Sequence, residues 1–526
     1  MMKTIKLIAQ YIYYLLVLLI YLSRAAHWGF SHDENQFIAA GQLLSDHGLF
    51  PYVNYPYTHM PYGAIFFAIT ARISNYDYLA GRVLNAVACV ACCLLIVYIF
   101  KLFIGARNPV ALLIWEFVIV FIFLNHPSMV LISGEVLNHS LASLFSLLAL
   151  MFFIHLVQLR YSPHWAAFGC GVCVCLAALI RFNYASLIMV LFILFWLYKW
   201  ILDPPRFLRS LSSFIVGLVI AGLPALVLII LAPYNFYYGN LVYTRLNTLY
   251  YQELRFKMNM DLGSKIIGFL SNILSSPLNF ILYALLLFVG IASFILFIRK
   301  KSPVDLNILA VAAFAFTLFL TAFAPTPTQQ QYFFAPVPFL VVILAIVGSE
   351  IDRVNKPVFY VLILGMLVAL NPRPIVTNPL DELKYLSNPS QWTPLQIHDF
   401  AEEIKGYVPR GRILTLIPMI PLETGYDIYP FTVTGPFSWR TSLLLSSQGR
   451  ARYDVISPKE LAALLNQYPP DGILTGFEAP NAGFTNDDPG TVETPFIDYA
   501  NKNGYKPIIL PASFVQRPIT LWVKGP

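Results

Sequence analysis

The sequence predicts a polytopic α-helical membrane protein with a small α/β domain at its C-terminal end. Three observations carry this reading. The 526-residue chain is 58% hydrophobic, with a mean hydropathy of +0.66. Only 12% of it is charged, about half of the ~25% usual in a soluble domain. Apolar runs of membrane length recur through the first 370 residues, and composition then shifts sharply in 371–526.

The runs lie at about 7–24, 80–100, 109–125, 136–158, 165–181, 184–200, 210–232, 279–298, 306–324, 331–349 and 357–370, which makes eleven. Residues 7–22, preceded by Lys3 and Lys6, have the pattern of a signal peptide. Arg24 interrupts the small-residue cleavage site, so the run reads as a retained first helix. A twelfth apolar stretch, Tyr62–Ile73, would span only ~18 Å as a helix, against a hydrocarbon core of ~30 Å. It reads as a partly inserted helix that returns to its own side.

Charge placement supports eleven crossings. Residues 1–370 carry 21 Lys+Arg against 12 Asp+Glu, and 371–526 carry 13 against 15. The basic excess therefore belongs to the membrane part and calls for no nucleic-acid partner. With the N-terminus inside, Lys101, Arg107, Arg160, Arg206 and Arg299 all fall on the cytoplasmic side. The first outer loop (25–79), a second large outer loop (233–265) and the domain 371–526 then lie outside the cytoplasm. All six cysteines sit in apolar runs, as Cys89, Cys92, Cys93 and Cys170, Cys173, Cys175. They read as small buried thiols rather than a metal site.

The C-terminal domain shows its elements in places. Ser457-Pro458-Lys459-Glu460 has a cap, a proline at the first position and a glutamate at the third, a strong helix start. Residues 472–476 and 519–523 read as strands, and 495–503 as a helix ended by Gly504. With no phosphate loop, zinc spacing or nucleophile elbow, this domain is expected to pack on the membrane part and shape an acceptor entrance.

The stretch 31–61, SHDENQFIAAGQLLSDHGLFPYVNYPYTHMP, carries an adjacent acid pair, Asp33-Glu34, at the membrane surface. Asp33 can cap a helix with Gln36 reaching back, and Phe37, Ala40, Gly41 and Leu44 then form the apolar stripe of a helix lying on the membrane, ended by Gly48. A cap fixes a carboxylate in space, which a general base also needs. Under the eleven-span topology other polar groups reach the same face: Arg82, Glu135, Asn138, His139, Arg181, Asn183, Gln331 and Tyr332. Ionisable groups at membrane depth are costly unless paired or functional, so each is a candidate site residue. One acidic and one cationic set suit a lipid-phosphate leaving group, whose oxygens arginine can hold while a carboxylate takes a proton from the incoming group.

The run from Asp33-Glu34 to Pro61 resembles the first outer loop of the GT-C glycosyltransferases. It is most similar to bacterial relatives of the protein O-mannosyltransferases and of the lipid A aminoarabinose transferase. GEVLNHSLASLFSLLAL, LAALIRFNYASLIM and QQQYFFAPVPFL follow in similar order. The resemblance implies a polyprenyl-phosphate-linked sugar donor and inversion at the anomeric carbon. The large outer domain suggests a bulky acceptor such as a glycolipid, polysaccharide or protein, and the eleven-span topology puts the site on the periplasmic face of a bacterial inner membrane. The resemblance also implies Asp33 as base, Glu34 as its partner, Glu135 as a second acid and Arg181 near the lipid phosphate. Where relatives commonly have His-Lys-Pro-Pro, this chain reads His59-Met60-Pro61-Tyr62, so either Arg82, Arg181, Arg245, Arg255 or His59 substitutes for the lysine or the donor differs; Tyr57 joins the expected pocket. No cofactor is required, although a divalent metal between Asp33 and Glu135 or His59 is possible. The alternatives are a lipid or glycan transporter, which should show internal repeats, and a scaffold that has lost the activity.

Overall fold

The computed structural model describes residues 2–104, 109–158, 162–199, 204–300, 303–354, 379–478, 483–485, 490–515 and 517–525. Every predicted apolar run up to 331–349 falls on a helix. These are α1 (Met2–His27), α4 (Asp77–Phe103), α5 (Pro109–Asn125), α7 (His139–Val157), α8 (Pro163–Ile180), α9 (Ser186–Tyr198), α10 (Pro204–Leu231), α14 (Pro277–Lys300), α15 (Pro303–Thr321) and α16 (Val337–Val354), with α2 (Asn35–Asp46), α3 (Tyr62–Ile73) and α6 (Pro127–Gly134) between them. The last predicted run, 357–370, and the predicted boundary at 370 lie outside the described residues. Among the described residues seven helices are long and apolar enough to cross a membrane, and an eighth span results if α5 and α6, bent by 68°, count as one. The chain is a multi-pass membrane protein. The break falls at Asn125-His126-Pro127, where proline removes a backbone donor.

Small residues set the closest helix contacts. A Cβ on Gly171 of α8 would lie 2.2 Å from the Phe214 carbonyl oxygen, and one on Gly217 of α10 would lie 2.3 Å from that of Phe168. The two glycines let α8 and α10 approach reciprocally, as small residues do between membrane helices. The six cysteines are free and buried.

Helix α2 departs from its expected setting. It was expected to rest on the membrane with one apolar stripe, yet Asn35 through Leu43 are all buried. On one side α3 packs so closely that a Cβ at Gly41 would lie 2.8 Å from the Phe67 backbone. Elsewhere Ala39, Ala40 and Leu43 share a core with Leu422, Ile428 and Val433 of the C-terminal part. Its polar residues are hydrogen-bonded inward, Gln42 to Asp77 at 2.7 Å and Gln36 to Thr58 at 3.4 Å. Gly48 ends the turn at φ 65°, as expected. The stretch 233–265, expected as a loop, is largely helical, with α11 (Pro233–Tyr237), α12 (Tyr243–Glu253) and the start of α13 (Leu262–Gly268).

The C-terminal part carries a five-stranded mixed sheet: β1 (Arg412–Thr415), β2 (Asp427–Ile428), β3 (Gly472–Thr475), β4 (Tyr505–Leu510) and β5 (Ile519–Lys524), in the order β2-β1-β3-β5-β4. The two strands predicted from sequence are antiparallel neighbours, with Gly472 opposite Val523. The Ser457 cap starts helix Pro458–Gln467, and Gly504 follows helix Thr494–Lys502 at φ 77°. This part is locked to the bundle by a buried ion pair. Arg24 at the end of α1 places Nε 2.7 Å from the Glu382 carboxylate, donates to the Leu124 carbonyl at 2.8 Å, and both charged side chains are almost fully buried. Removing one partner strands the other charge, at a cost of ~3–5 kcal/mol, whereas removing both is far milder. Arg24→Met is expected to lower the melting temperature in detergent by several degrees, and Arg24→Met with Glu382→Met to recover most of it; thermal unfolding of the purified protein reads both.

Candidate active site

The local structure around the acid pair separates its two members. Residues His32–Glu34 form a single 3-10 turn ahead of α2. The cap is Ser31 rather than Asp33: the Ser31 backbone amide donates to Glu34 at 3.3 Å. Glu34 therefore turns inward and Asp33 outward.

Inward, Glu34 meets Arg82, and both side chains are fully buried. Arg82 grips the carboxylate through Nε at 3.0 Å and Nη2 at 2.8 Å. Its remaining donors go to the carbonyls of Ala25 (3.1 Å), Trp28 (2.8 Å) and Gly29 (2.9 Å). Tyr78 and the Val136 amide also donate to Glu34, the latter at 2.6 Å. Arg82 has no donor left for a phosphate, so it is not the expected donor-binding cation. Glu34 is likewise a structural anchor and not a second reactive acid.

Outward, Asp33 opens into a cavity of about 330 Å³. Its walls bring together His32, Asp33, Gln36, His59, Asn138, His139, Arg181, Gln331 and Tyr332 with Tyr243, Asn247, Tyr251, Pro327, Gln329, Phe437 and Arg440. Residues more than 400 positions apart thus share one space; of the polar set expected at one membrane face, Asp33, Asn138, His139, Arg181, Gln331 and Tyr332 line this cavity.

Two guanidinium groups dominate the cavity. Arg181 follows α8, donates to Asn138 Oδ1 at 2.7 Å and lies 5.4 Å from the Tyr332 ring centroid. Arg440, on helix Pro436–Thr441, donates to Asn247 Oδ1 at 2.9 Å and is walled by the rings of Phe437, Tyr250 and Tyr251 at 4.7–5.4 Å. Its Nε is buried with no hydrogen-bond partner, as is His139 Nδ1. Among the described residues neither arginine has a carboxylate within ion-pair distance. Two poorly solvated cations with no carboxylate at ion-pair distance leave room for an anionic ligand; Asp33 acts on Arg181, and Glu478 on Arg440, from farther off.

The carboxylate opposite them is ionised. Burial pushes the Asp33 carboxyl up, but the His32 imidazole bonded to it at 3.3 Å, Arg440 and His59 together hold it below the usual aspartate range. Burial likewise pulls on His32, and Asp33 outweighs it, raising the imidazole. His59 is pushed down to about 4, first by burial and then by Arg181. It is therefore neutral at pH 7 and replaces no lysine charge. Met60, at the lysine position, is buried.

Other expectations need correction. Glu135 does not line the cavity; it accepts a bond from the Trp28 indole at 3.1 Å, behind Glu34. Burial, and then the Glu34 charge, push it up to about 7. Arg245 is exposed on α12, and Tyr243, Asn247 and Tyr251 of that helix face the cavity one and two turns apart, which turns position 245 away. Arg255 follows the end of α12, exposed and outside the cavity. Tyr57 is buried in an aromatic cluster with Tyr52 and Tyr55, and Asn183 sits beyond the wall with its backbone oxygen bonded to Ser186 at 2.7 Å. The sequence reading missed Arg440 and the α12 face; an arginine next to a tryptophan in a soluble-looking domain gave no signal of membrane-site chemistry. Among the described residues no three His, Cys, Asp or Glu side chains assemble a metal-ligand set. Glu135 drops out as a co-ligand of Asp33, which leaves Asp33 and His59 facing one cavity.

No protein-family model and no curated protein matches the chain in sequence. Solved structures do match. ArnT from Cupriavidus metallidurans in the apo state aligns over 100% of both chains with a TM-score of 0.59 at 12% identity. The same protein bound to undecaprenyl phosphate aligns over 99% of both chains, again with a TM-score of 0.59. The chain has the ArnT fold. The GT-C resemblance drawn from 31–61 holds at that level. The Archaeoglobus fulgidus oligosaccharyltransferase in complex with Zn and sulfate aligns over 97% of this chain and 73% of that one, with a TM-score of 0.50 at 12% identity.

Two measurements follow from this geometry. Arg82→Met should destabilise the protein by ~3–5 kcal/mol because it strands Glu34, whereas Arg181→Met and Arg440→Met should leave the melting temperature unchanged or raise it. Glu135 gives a pH signature. Burial holds its carboxyl up at about 7 in the folded chain, above the ordinary glutamate value of 4.5, so the folded chain binds the extra proton and stability falls as pH rises between those values. Glu135→Gln should flatten the melting temperature across pH 5–7.5 relative to the parent protein.

Proposed function

We propose that this chain is an integral-membrane glycosyltransferase that moves a sugar from a polyprenyl-phosphate-linked donor to a hydroxyl or amine acceptor. The observation that carries this is Asp33 facing Arg181 and Arg440 across one cavity, with no carboxylate at ion-pair distance from either arginine among the described residues. A lipid phosphate supplies the missing anion. Support also comes from the fold shared with ArnT, one of whose structures holds undecaprenyl phosphate.

In the proposed reaction the acceptor oxygen or nitrogen attacks the anomeric carbon as the bond from that carbon to the phosphate oxygen breaks. The electron pair leaves with the phosphate, where charge grows, and fixed guanidinium donors stabilise that growing charge. The acceptor proton passes to Asp33. One displacement with base and leaving group on opposite sides inverts the anomeric centre. His32 keeps Asp33 charged and oriented, while Asn138 and Asn247 hold the two arginines. Glu34 and Arg82 act at one remove by fixing the turn that presents Asp33. A divalent ion between Asp33 and His59 is compatible with the lining, and no step here is routed through one. On the topology read from loop charge, the cavity and the C-terminal part face the periplasm of a bacterial inner membrane.

Asp33→Asn should fold normally and lose ~10²–10⁴-fold in the rate of sugar transfer from a polyprenyl-phosphate-sugar donor, followed by mass spectrometry; full activity in a folded variant would refute the base assignment. Because Asp33 is held below the ordinary aspartate value, kcat/KM should stay flat on acidification to about pH 4. His32→Gln removes that support, so the acid limb should move to higher pH. Arg181→Met and Arg440→Met should each weaken undecaprenyl phosphate binding about 10- to 100-fold, the worth of a charged hydrogen bond.

A further inference from the structure

A second cavity, about 490 Å³, lies at the far end of α2 from Asp33, between the bundle and the C-terminal part. Its volume falls in the ~300–1,000 Å³ range of small-molecule sites. His47 and Leu43 contribute from α2; Arg412, Asp427, Tyr429, Asp454 and Tyr468 contribute from the C-terminal part. Nothing in the proposed chemistry uses any of them.

The lining chemistry differs from that of the Asp33 cavity. Two carboxylates, Asp427 and Asp454, face one arginine and one histidine, so the cavity has no preference for an anion. Asp427 and His47 are 54% and 34% exposed, 3.8 Å apart, and both keep hydrogen-bonding capacity towards the cavity. The Arg412 guanidinium lies 5.4 Å from the Tyr429 ring centroid, and its Nε is buried without a hydrogen-bond partner. That unmet donor needs an acceptor, because a buried polar group left unpaired is costly. Tyr468 is 50% exposed and offers a ring face. Carboxylates and a guanidinium beside flat aromatic faces suit a sugar ring, which presents hydroxyls at its edge and C–H bonds on its faces.

Placement connects this cavity to the first. Gln36 and Phe37 at the start of α2 line the Asp33 cavity, and Leu43 and His47 at its end line this one. Separations of 6 to 11 residues along this helix set them ~9–16 Å apart, a span of two or three linked sugars. We infer that this cavity binds the distal sugars of a neutral or amino-bearing glycan acceptor whose reacting end lies at Asp33. The inference rests on the glycosyltransferase reading for the acceptor's role, and the binding itself can be tested without turnover.

The test is capture of the full-length protein in detergent on a microarray of bacterial surface glycans, with maltohexaose and chitohexaose included as defined probes. We expect retention on at least one neutral or amino glycan of three or more sugars. Tyr468→Ala and Asp427→Asn should each reduce it tenfold or more, while Asp33→Asn keeps it. Tyr468 accepts the Tyr429 bond through its backbone oxygen, so the alanine variant retains that contact; its melting temperature checks the fold. No retention, retention indifferent to both substitutions, or retention of acidic glycans and lipids alone would overturn the site. Retention without any sugar transfer would uphold the site and sink the enzymatic reading. Transfer in which the acceptor KM is indifferent to Tyr468→Ala at every chain length would do the reverse.

Discussion

The buried pair between Glu34 and Arg82 is the constraint on which the rest of the site depends. A charge inside a protein must be paired and hydrogen-bonded or it destabilises the fold by several kcal/mol. Here one carboxylate and one guanidinium satisfy each other, and the carbonyls of Ala25 in α1 and of Trp28 and Gly29 just after it take the remaining arginine donors. The contact ties α1, the 3-10 turn, α4 and the start of residue 136 into one knot. Because Glu34 must point inward to complete it, its neighbour Asp33 must point the other way.

That geometry explains how two adjacent acids take opposite roles. Glu34 is neutralised by a dedicated partner and is unavailable to solvent or substrate. Asp33 meets only an imidazole at bonding distance, and more distant cations hold it charged without quenching it. The arginines across the cavity are kept short of counter-charge by neutral partners, asparagine amides and aromatic faces. An ion pair with a protein carboxylate would have stabilised the chain more and left nothing for an anionic ligand.

The C-terminal part contributes more than cover. Arg440 and Phe437 complete the cavity wall, and the Arg24–Glu382 pair and the core beneath α2 hold that part in register with the bundle.

The sequence by itself determined the membrane class, the helices under its apolar runs and the Ser457 and Gly504 boundaries, because hydropathy, caps and turn residues act over a few neighbours. It read the strands unevenly: four-residue β3 was found, while β1 of the same length, two-residue β2 and six-residue β4 were missed. Only the tertiary structure decided that Ser31 rather than Asp33 is the cap, that Arg82 is consumed, that Arg245 faces away and that Arg440 reaches Asp33 from more than 400 residues off. Those outcomes turn on which charge finds a partner across the fold. Pairing of that kind is a property of distance in space, and residue order alone does not encode it.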